Sequence, residues 1–367
     1  EVKNNLMNSQ TLFQNYFHYS PTTSSKAHGR VNLIGEHTDY NNGFVLPTLI
    51  EQKIEVSLKL RSDSKIVGIS EEFGENTDDL SSKTDGSWLD FVRGVSYYIG
   101  KEGHPITGLD VAVTSNIPSG SGLSSSAALE ISLLRAFSQS TGFILNSSKM
   151  AQIGQLVEHN FIGTQCGIMD QMVSAGSEFG QALYLDCENL KSEIIPIFSD
   201  HTFVVIHSGS RRKLSEGKYN ERKKETETAA KDLGISSLRQ GDINNLKEIK
   251  NPLIHRRARH IITENERVQK AAEYLKTNNA KSFGILMNES HQSMNEDYEI
   301  SSPELNHIVK TAQSFGAMGA RLTGAGFGGC TVILTSNIER EFITEKILSS
   351  CPNSYLVTNI TQKNLSN

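Results

Sequence analysis

Hydrophobic and polar positions change in short steps through the first part of the chain and settle into longer helical periods after it. Val31–Ile34, Phe44–Leu46, Ile54–Leu60 and Leu109–Val113 have the composition of strands, with glycine-rich turns around them. From Ser125 to about Phe137 the spacing becomes helical. Leu129, Leu133 and Phe137 share one face and Ile131 and Leu134 another, which predicts a helix buried nearly all round. A second helix is predicted over Ser148–Glu158. Near residue 200 the composition changes. A strand-like run, Phe203–Ile206, leads into the charged segment Arg211–Lys231. A long helix is predicted from about Arg256 to Leu275, with Ile261, Val268, Ala272 and Leu275 at helical spacing. Thr331–Leu334, just after a glycine cluster, reads as the last strand. The pattern predicts an α+β chain of two domains, residues 1–200 and 201–367.

Composition narrows the function without deciding it. The 367 residues are enough for two cores, and 37% hydrophobic with 21% charged residues is ordinary for a globular protein. A net charge of -5 argues against nucleic-acid binding as the main activity. The basic string HRRARH at 255–260 is followed at once by acids, so it reads as a solvated, salt-bridged helix face. Cys166, Cys187, Cys330 and Cys351 lie far apart, with no Cys-x-x-Cys pair, and are expected to be isolated buried thiols. The polar start EVKNNLMNSQ and the lack of any long apolar run point to a cytoplasmic protein, with no membrane as partner.

The strongest chemical signal is SNIPSGSGLSSSAALE at 115–130. Gly120 and Gly122 allow turns that other residues would strain. Ser124, Ser125 and Ser126 bring hydroxyls to a helix start, where free N–H groups and the positive dipole end converge. Gly120, Ser121, Gly122, Leu123, Ser124, Ser125 and Ser126 therefore form a candidate anion cradle. A simple helix cap would need only one serine. No P-loop or protein-kinase signature is present. GAGFGG at 324–329 matches a dinucleotide fingerprint in form only, because a strand follows it instead of a helix. It reads as a tight turn approaching a ligand or the other domain.

Two further segments carry chemistry. In GRVNLIGEHTDYNNGFVLP, 29–47, Gly35 breaks a strand pattern and Glu36, His37 and Asp39 crowd together. Such a loop suits a polyhydroxylated ligand, since carboxylates accept from neighbouring sugar hydroxyls. A metal site and an acidic surface turn are the alternatives. In EHNFIGTQCGIMDQM, 158–172, Asp170 lies among Ile168, Met169 and Met172, where an acid is normally paired or functional. An ATP enzyme also needs Mg²⁺. Glu158 and a loop serine are suitable hard ligands, although Glu158 alone would pass for a solvated helix-end carboxylate.

Taken together, these motifs resemble the galactokinases, members of the GHMP small-molecule kinases, over nearly the whole length. YNERKKE at 219–225, RRARHIITENERV at 256–268, ESHQSMNEDYEISSPEL at 289–305 and RLTGAGFGGC at 321–330 match the family in order. The resemblance implies an N-terminal domain with a left-handed βαβ element, a ferredoxin-like C-terminal domain and an active site between them. It implies transfer of the γ-phosphoryl of ATP to the anomeric hydroxyl of α-D-galactose by a monomer, the first committed step of galactose catabolism. By position, Asp170 would be the proton acceptor and Arg30 the transition-state stabiliser. Glu36, His37, Thr38, Asp39, Gly167, Asp170 and Tyr219 would contact galactose. Gly120–Ser126 and Ser70 would contact ATP, and Ser126 and Glu158 would serve Mg²⁺. His28, Asn42 and Asn306 depart from the family pattern outside these roles. A sugar- and ATP-binding sensor without catalysis is the rival from another class. A kinase for a related sugar, such as N-acetylgalactosamine or arabinose, is the rival within the enzymes.

Overall fold

The run GLDVAVTS forms strand Gly108–Ser115, buried at every residue but the last. Such continuous burial matches its lack of alternation. Ile54–Arg61, the second half of strand Pro47–Arg61, pairs with it antiparallel. Strand Lys65–Ser70 pairs with it in parallel, and Gly74–Asp79 adds an antiparallel edge. Parallel neighbours need a crossover, and the chain supplies it through helix Leu89–Lys101. Helix Ser125–Thr141 is buried without a break from Ala127 to Leu134, as its two apolar faces require. Helices Ser147–Val157 and Met169–Gly176 pack in the same unit. By its contacts this unit comprises Glu1–Gly29, Glu51–Ile117 and Ser124–Gly176. The structure, a computed structural model, describes residues 7–210 and 215–362.

The second unit gathers Arg30–Ile50, Pro118–Leu123 and the chain from Ser177. Its four-stranded sheet runs in the order Gly319–Thr323, Cys330–Ser336, His201–His207, Tyr355–Ile360, with all neighbours antiparallel. Helices Pro252–Lys276, Ala280–Glu296 and Pro303–Ser314 separate the first strand in sequence from the second, and Arg340–Ser350 separates the third from the fourth. That is the ferredoxin-like arrangement. Val204, Ile206, Ile308, Ile333, Ile343 and Ile347 form part of its core. Strands Phe44–Val45, Gln181–Asp186 and Ser192–Pro196 form a further antiparallel group.

Two expectations differ from what is found, one at strand Thr23–Asn32 and one at HRRARH. The strand expected at Val31–Ile34 runs earlier, over Thr23–Asn32, because its first half is polar and gives no alternation. The contact units cross residue 200. Phe44–Val45 pairs with Gln181–Asp186, and the Phe44 N–H donates to Asn265 Oδ1 at 2.9 Å. The charged segment forms helix Ser215–Asp232, while 211–214 lie outside the described residues. HRRARH is salt-bridged but only partly solvated: Arg259 is exposed, whereas Arg257 and His260 are buried. Arg257 is 1% exposed and meets Glu225 at 2.7 Å and Glu299 at 2.6 Å.

A buried ion cluster ties the second unit together. Arg321, on strand Gly319–Thr323, has no exposed surface. Its guanidinium pairs with Glu36 and lies 3.6 Å from Glu264. Glu36 Oε1 also accepts from the Gly324 N–H at 2.8 Å and Thr323 Oγ1 at 3.2 Å, and Oε2 from Asn32 Nδ2 at 3.0 Å. Glu264 accepts from the Gly35 N–H at 2.9 Å, Ser290 Oγ at 2.6 Å and Arg267 Nε at 2.7 Å. Burial pushes both carboxyls upward. At Glu36 it outweighs Arg321, whereas at Glu264 Arg267 and Arg321 prevail and hold the group at about 2. Gly35 has φ of 106°, and a Cβ there would meet Val268 Cγ2 at 2.8 Å and Phe44 O at 2.9 Å. Only glycine brings this N–H to Glu264.

Arg321→Met removes the shared cation and leaves both carboxyls buried. The expected loss of folding stability is about 3–5 kcal/mol in urea unfolding. An unchanged midpoint and slope would show that the cluster does not hold the unit.

His291 is buried, and burial pushes its pKa down to about 4, against the opposing pull of Asn306. A backbone N–H only donates, so Leu322 N–H gives its bond to Nδ1 at 3.3 Å. Nε2 carries the ring proton to Asn306 Oδ1 at 3.0 Å. Between pH 6.5 and 4 the unfolded chain binds more protons at this ring than the folded one. Stability therefore falls as pH drops through that window, by up to about 3 kcal/mol from this residue. Asn306→Asp places a carboxylate on Nε2 and should flatten the fall, as read from urea unfolding at several pH values. An identical pH slope in the two proteins would discard this account.

Candidate active site

In the second unit, the loop after strand Thr23–Asn32 turns inward. Glu36, His37, Thr38 and Asp39 are all buried, so it is not an acidic surface turn. His37 has φ of 65°. A carbonyl only accepts, so His37 Nε2 donates to Ala325 O at 3.2 Å, and Nδ1 meets the Tyr40 hydroxyl at 2.7 Å. That hydroxyl lies 2.8 Å from the Tyr298 hydroxyl. Burial, then the neighbouring Tyr298 and Tyr219, keeps the Tyr40 pKa well above its ordinary value. The Tyr219 ring lies 5.3 Å from both the His37 and the Tyr40 rings, completing an aromatic wall. Thr38 Oγ1 stays within the loop, 2.9 Å from Gly35 O and 2.6 Å from Phe44 O. Asp39 opens the short turn Asp39–Asn41. Asn42 closes that turn at φ of 57°, a conformation asparagine tolerates well, which accounts for its presence. GAGFGG forms a turn before strand Cys330–Ser336, as expected, and its backbone reaches both Glu36 and His37.

Arg30, near the end of strand Thr23–Asn32, is bonded to the same unit's part of the glycine-serine loop. It is 5% exposed, its NH1 donates to Gly122 O at 2.8 Å, and its N–H donates to Leu123 O at 3.1 Å. Gly120 and Gly122 have φ of 66° and 76°. Ser121 Oγ is buried without a hydrogen-bond partner.

The chain enters the other unit at Ser124. Ser125 and Ser126 begin helix Ser125–Thr141 and are partly exposed. Ser124 Oγ donates to Asp170 Oδ2 at 2.6 Å. Asp170 is half-buried in the first turn of Met169–Gly176, just after the buried Gly167. Glu158 is 7% exposed, not solvated, and it opens a π turn, Glu158–Ile162. Such turns widen the backbone and occur often at functional sites. Glu130 is fully buried, receives Gln171 Nε2 at 3.1 Å on one oxygen and has no partner on the other. Burial pushes its carboxyl well above the ordinary range, and the charges of Glu158 and Asp170 push it further. A cation near Glu158 and Asp170 would offset that repulsion. Ser70 ends strand Lys65–Ser70, and its hydroxyl accepts the Glu72 and Phe73 N–H groups at 3.3 Å. Among the described residues, no group of three or more His, Cys, Asp or Glu is placed to hold a metal alone. None of the four cysteines forms a disulfide; Cys187 and Cys330 are buried as expected, whereas Cys166 and Cys351 are partly exposed.

Sequence reasoning missed Tyr40, Tyr298 and Glu130. Both tyrosines stand inside motifs already singled out. Glu130 is the one acid in the apolar run AALEISLL, and that isolation was its signal.

Known proteins share this architecture. The galactokinase galactose-binding signature matches residues 11–59, the GHMP kinases N terminal domain 90–178, and the GHMP kinases C terminal model 271–353. The galactokinase of Glaesserella parasuis serovar 5 (strain SH0165) is 39% identical over 353 residues, covering 92% of each chain. The crystal structure of Lactococcus lactis galactokinase complexed with galactose superposes with a TM-score of 0.91 at 31% identity, covering 96% of this chain and 97% of that one. Methanococcus jannaschii mevalonate kinase shares the fold, with a TM-score of 0.70 at 19% identity over 93% of this chain and 98% of its own. At that level of sequence and structural agreement, the chain belongs to the galactokinase family.

Proposed function

We propose that this protein transfers the γ-phosphoryl group of ATP to the anomeric hydroxyl of α-D-galactose, giving galactose 1-phosphate and ADP. The observation that carries this reading is the half-buried Asp170 carboxylate, bonded to the serine that opens the phosphate-loop helix. A base and an anion-binding helix start are thereby adjacent in one unit. The solved galactokinase relative is complexed with galactose, which supports the choice of sugar.

In this reading the Glu36–Asp39 loop, Gly167 and Tyr219 hold the sugar hydroxyls, and Ser70 and Gly120–Ser126 hold ATP. Asp170 takes the proton of the anomeric hydroxyl as its oxygen bonds to the γ-phosphorus. The bond from that phosphorus to the bridging oxygen breaks, and ADP leaves. Arg30, fixed on the Gly122 carbonyl, offsets negative charge gathering on the transferred group. Phosphoryl transfer passes through a loose transition state, so position matters more than base strength. Ser126 and Glu158 offer hard oxygen ligands for Mg²⁺, and the raised Glu130 carboxyl marks a neighbourhood that a cation would relieve. Bound there, Mg²⁺ would supply positive charge against the nucleotide phosphates.

ADP release with a panel of sugars tests the reading. Galactose is expected to drive ADP formation far faster than N-acetylgalactosamine or arabinose, and Asp170→Asn should lower turnover by roughly 100-fold or more. No sugar-dependent ADP would leave a sensor, and faster reaction with another sugar would replace the substrate. Ser126→Ala and Glu158→Ala should raise the Mg²⁺ concentration needed for half-maximal rate.

A further inference from the structure

We infer that Ser124 is a positioning residue for Asp170, with its hydroxyl taken from helix capping to hold the carboxylate in place. The inference rests on the reading of Asp170 as proton acceptor.

A serine before a helix ordinarily adopts an extended backbone and accepts an N–H from the first turn. Ser302 does so in this chain, at φ of -132° and ψ of 163°, accepting from Leu305 N–H. Ser124 does neither. It sits in the left-handed region, at φ of 65° and ψ of 46°, and makes no side-chain cap bond. That conformation strains any residue with a Cβ. The cap interaction is forgone as well. What replaces it is one contact, the 2.6 Å bond from Oγ to Asp170 Oδ2, in the short range of a hydroxyl donating to a charged oxygen. Helix Met169–Gly176 fixes the main chain of Asp170, and the hydroxyl fixes the rotation of its carboxylate. Together they decide which oxygen is presented for the proton.

A second link registers the same two helices. Gln171, next to Asp170, donates to Glu130, on the helix that Ser124 opens, at 3.1 Å. Gly154 lies against both, and a Cβ there would sit 2.9 Å from Gln171 Cγ and from Glu130 Oε2. The helices thus meet without slack, and Ser124 sets the last degree of freedom at the working end.

Ser124→Gly isolates the hydroxyl, because glycine adopts the left-handed conformation without strain. The variant should melt at or above the wild-type temperature. Its kcat should fall on the order of 10- to 100-fold, the scale of a small misplacement of a reacting group. KM for galactose and the dissociation constant for ADP should stay within about twofold, because glycine keeps the main-chain N–H by which this position would serve the nucleotide and the lost hydroxyl acts on the reacting step. Ser124→Ala keeps the strain without the hydroxyl, so it should lose similar turnover and melt below Ser124→Gly. In an Asp170→Asn background, Ser124→Gly should cost little more, since its target is gone. Unchanged kcat in Ser124→Gly beside a crippled Asp170→Asn overturns the role of Ser124 alone. Full turnover in both overturns the Asp170 reading with it. A loss confined to KM for ATP makes Ser124 a phosphate contact and overturns the inference.

Discussion

One guanidinium with no access to water holds two carboxylates, and the loop around Gly35 depends on that arrangement. Arg321 faces Glu36 and Glu264, and Arg267 supplies the second positive charge. Two acids and two bases cancel formally, which makes burial of Arg321, Glu36 and Glu264 beside the partly exposed Arg267 tolerable. The value of the arrangement lies in direction. Hydrophobic packing alone would let the loop around Gly35 settle in several ways. Fixed donors at Asn32, Gly35, Thr323 and Gly324 admit one register. His37 is then delivered to Ala325 and to the Tyr40–Tyr298 pair, and the tautomer of its ring follows from a carbonyl that can only accept.

The other unit solves a different problem. It places Asp170 beside the start of helix Ser125–Thr141 without letting the acid drift. Helix packing around Gly154 leaves no free space, the Glu130–Gln171 bond sets register, and the Ser124 hydroxyl orients the carboxylate. Backbone strain is accepted at Ser124 for this purpose, as strain often is where geometry matters more than stability.

Much of this was legible in the sequence, and the limits have physical causes. The glycine-serine loop, the Glu36–Asp39 loop and the Asp170 segment are local strings whose residue types already imply their chemistry. The ferredoxin-like half followed from the resemblance, while its strand at His201–His207 and long helix Pro252–Lys276 were visible from period alone, with ends off by a few residues. Burial of charge was not legible. Local acids after HRRARH suggested an exposed, self-paired face, whereas the acids that cover Arg257 come from Glu225 and Glu299. Glu158 taken alone would have passed for a solvated helix end, because nothing in the string reveals the π turn that it opens. Glu36 looked like an open ligand, while most of its partners lie far along the chain.

That last separation bears on how the protein is made. Glu36 and Arg321 are 285 positions apart. At about 5–20 residues per second on the ribosome, roughly a quarter of a minute to a minute passes before the cation follows the acid out. Throughout that interval the nascent loop cannot take its final form, because the Arg321 guanidinium that pairs with Glu36 is not yet there. The loop is thus written early and assembled late. A chain cut short before residue 321 keeps the motif and loses the geometry.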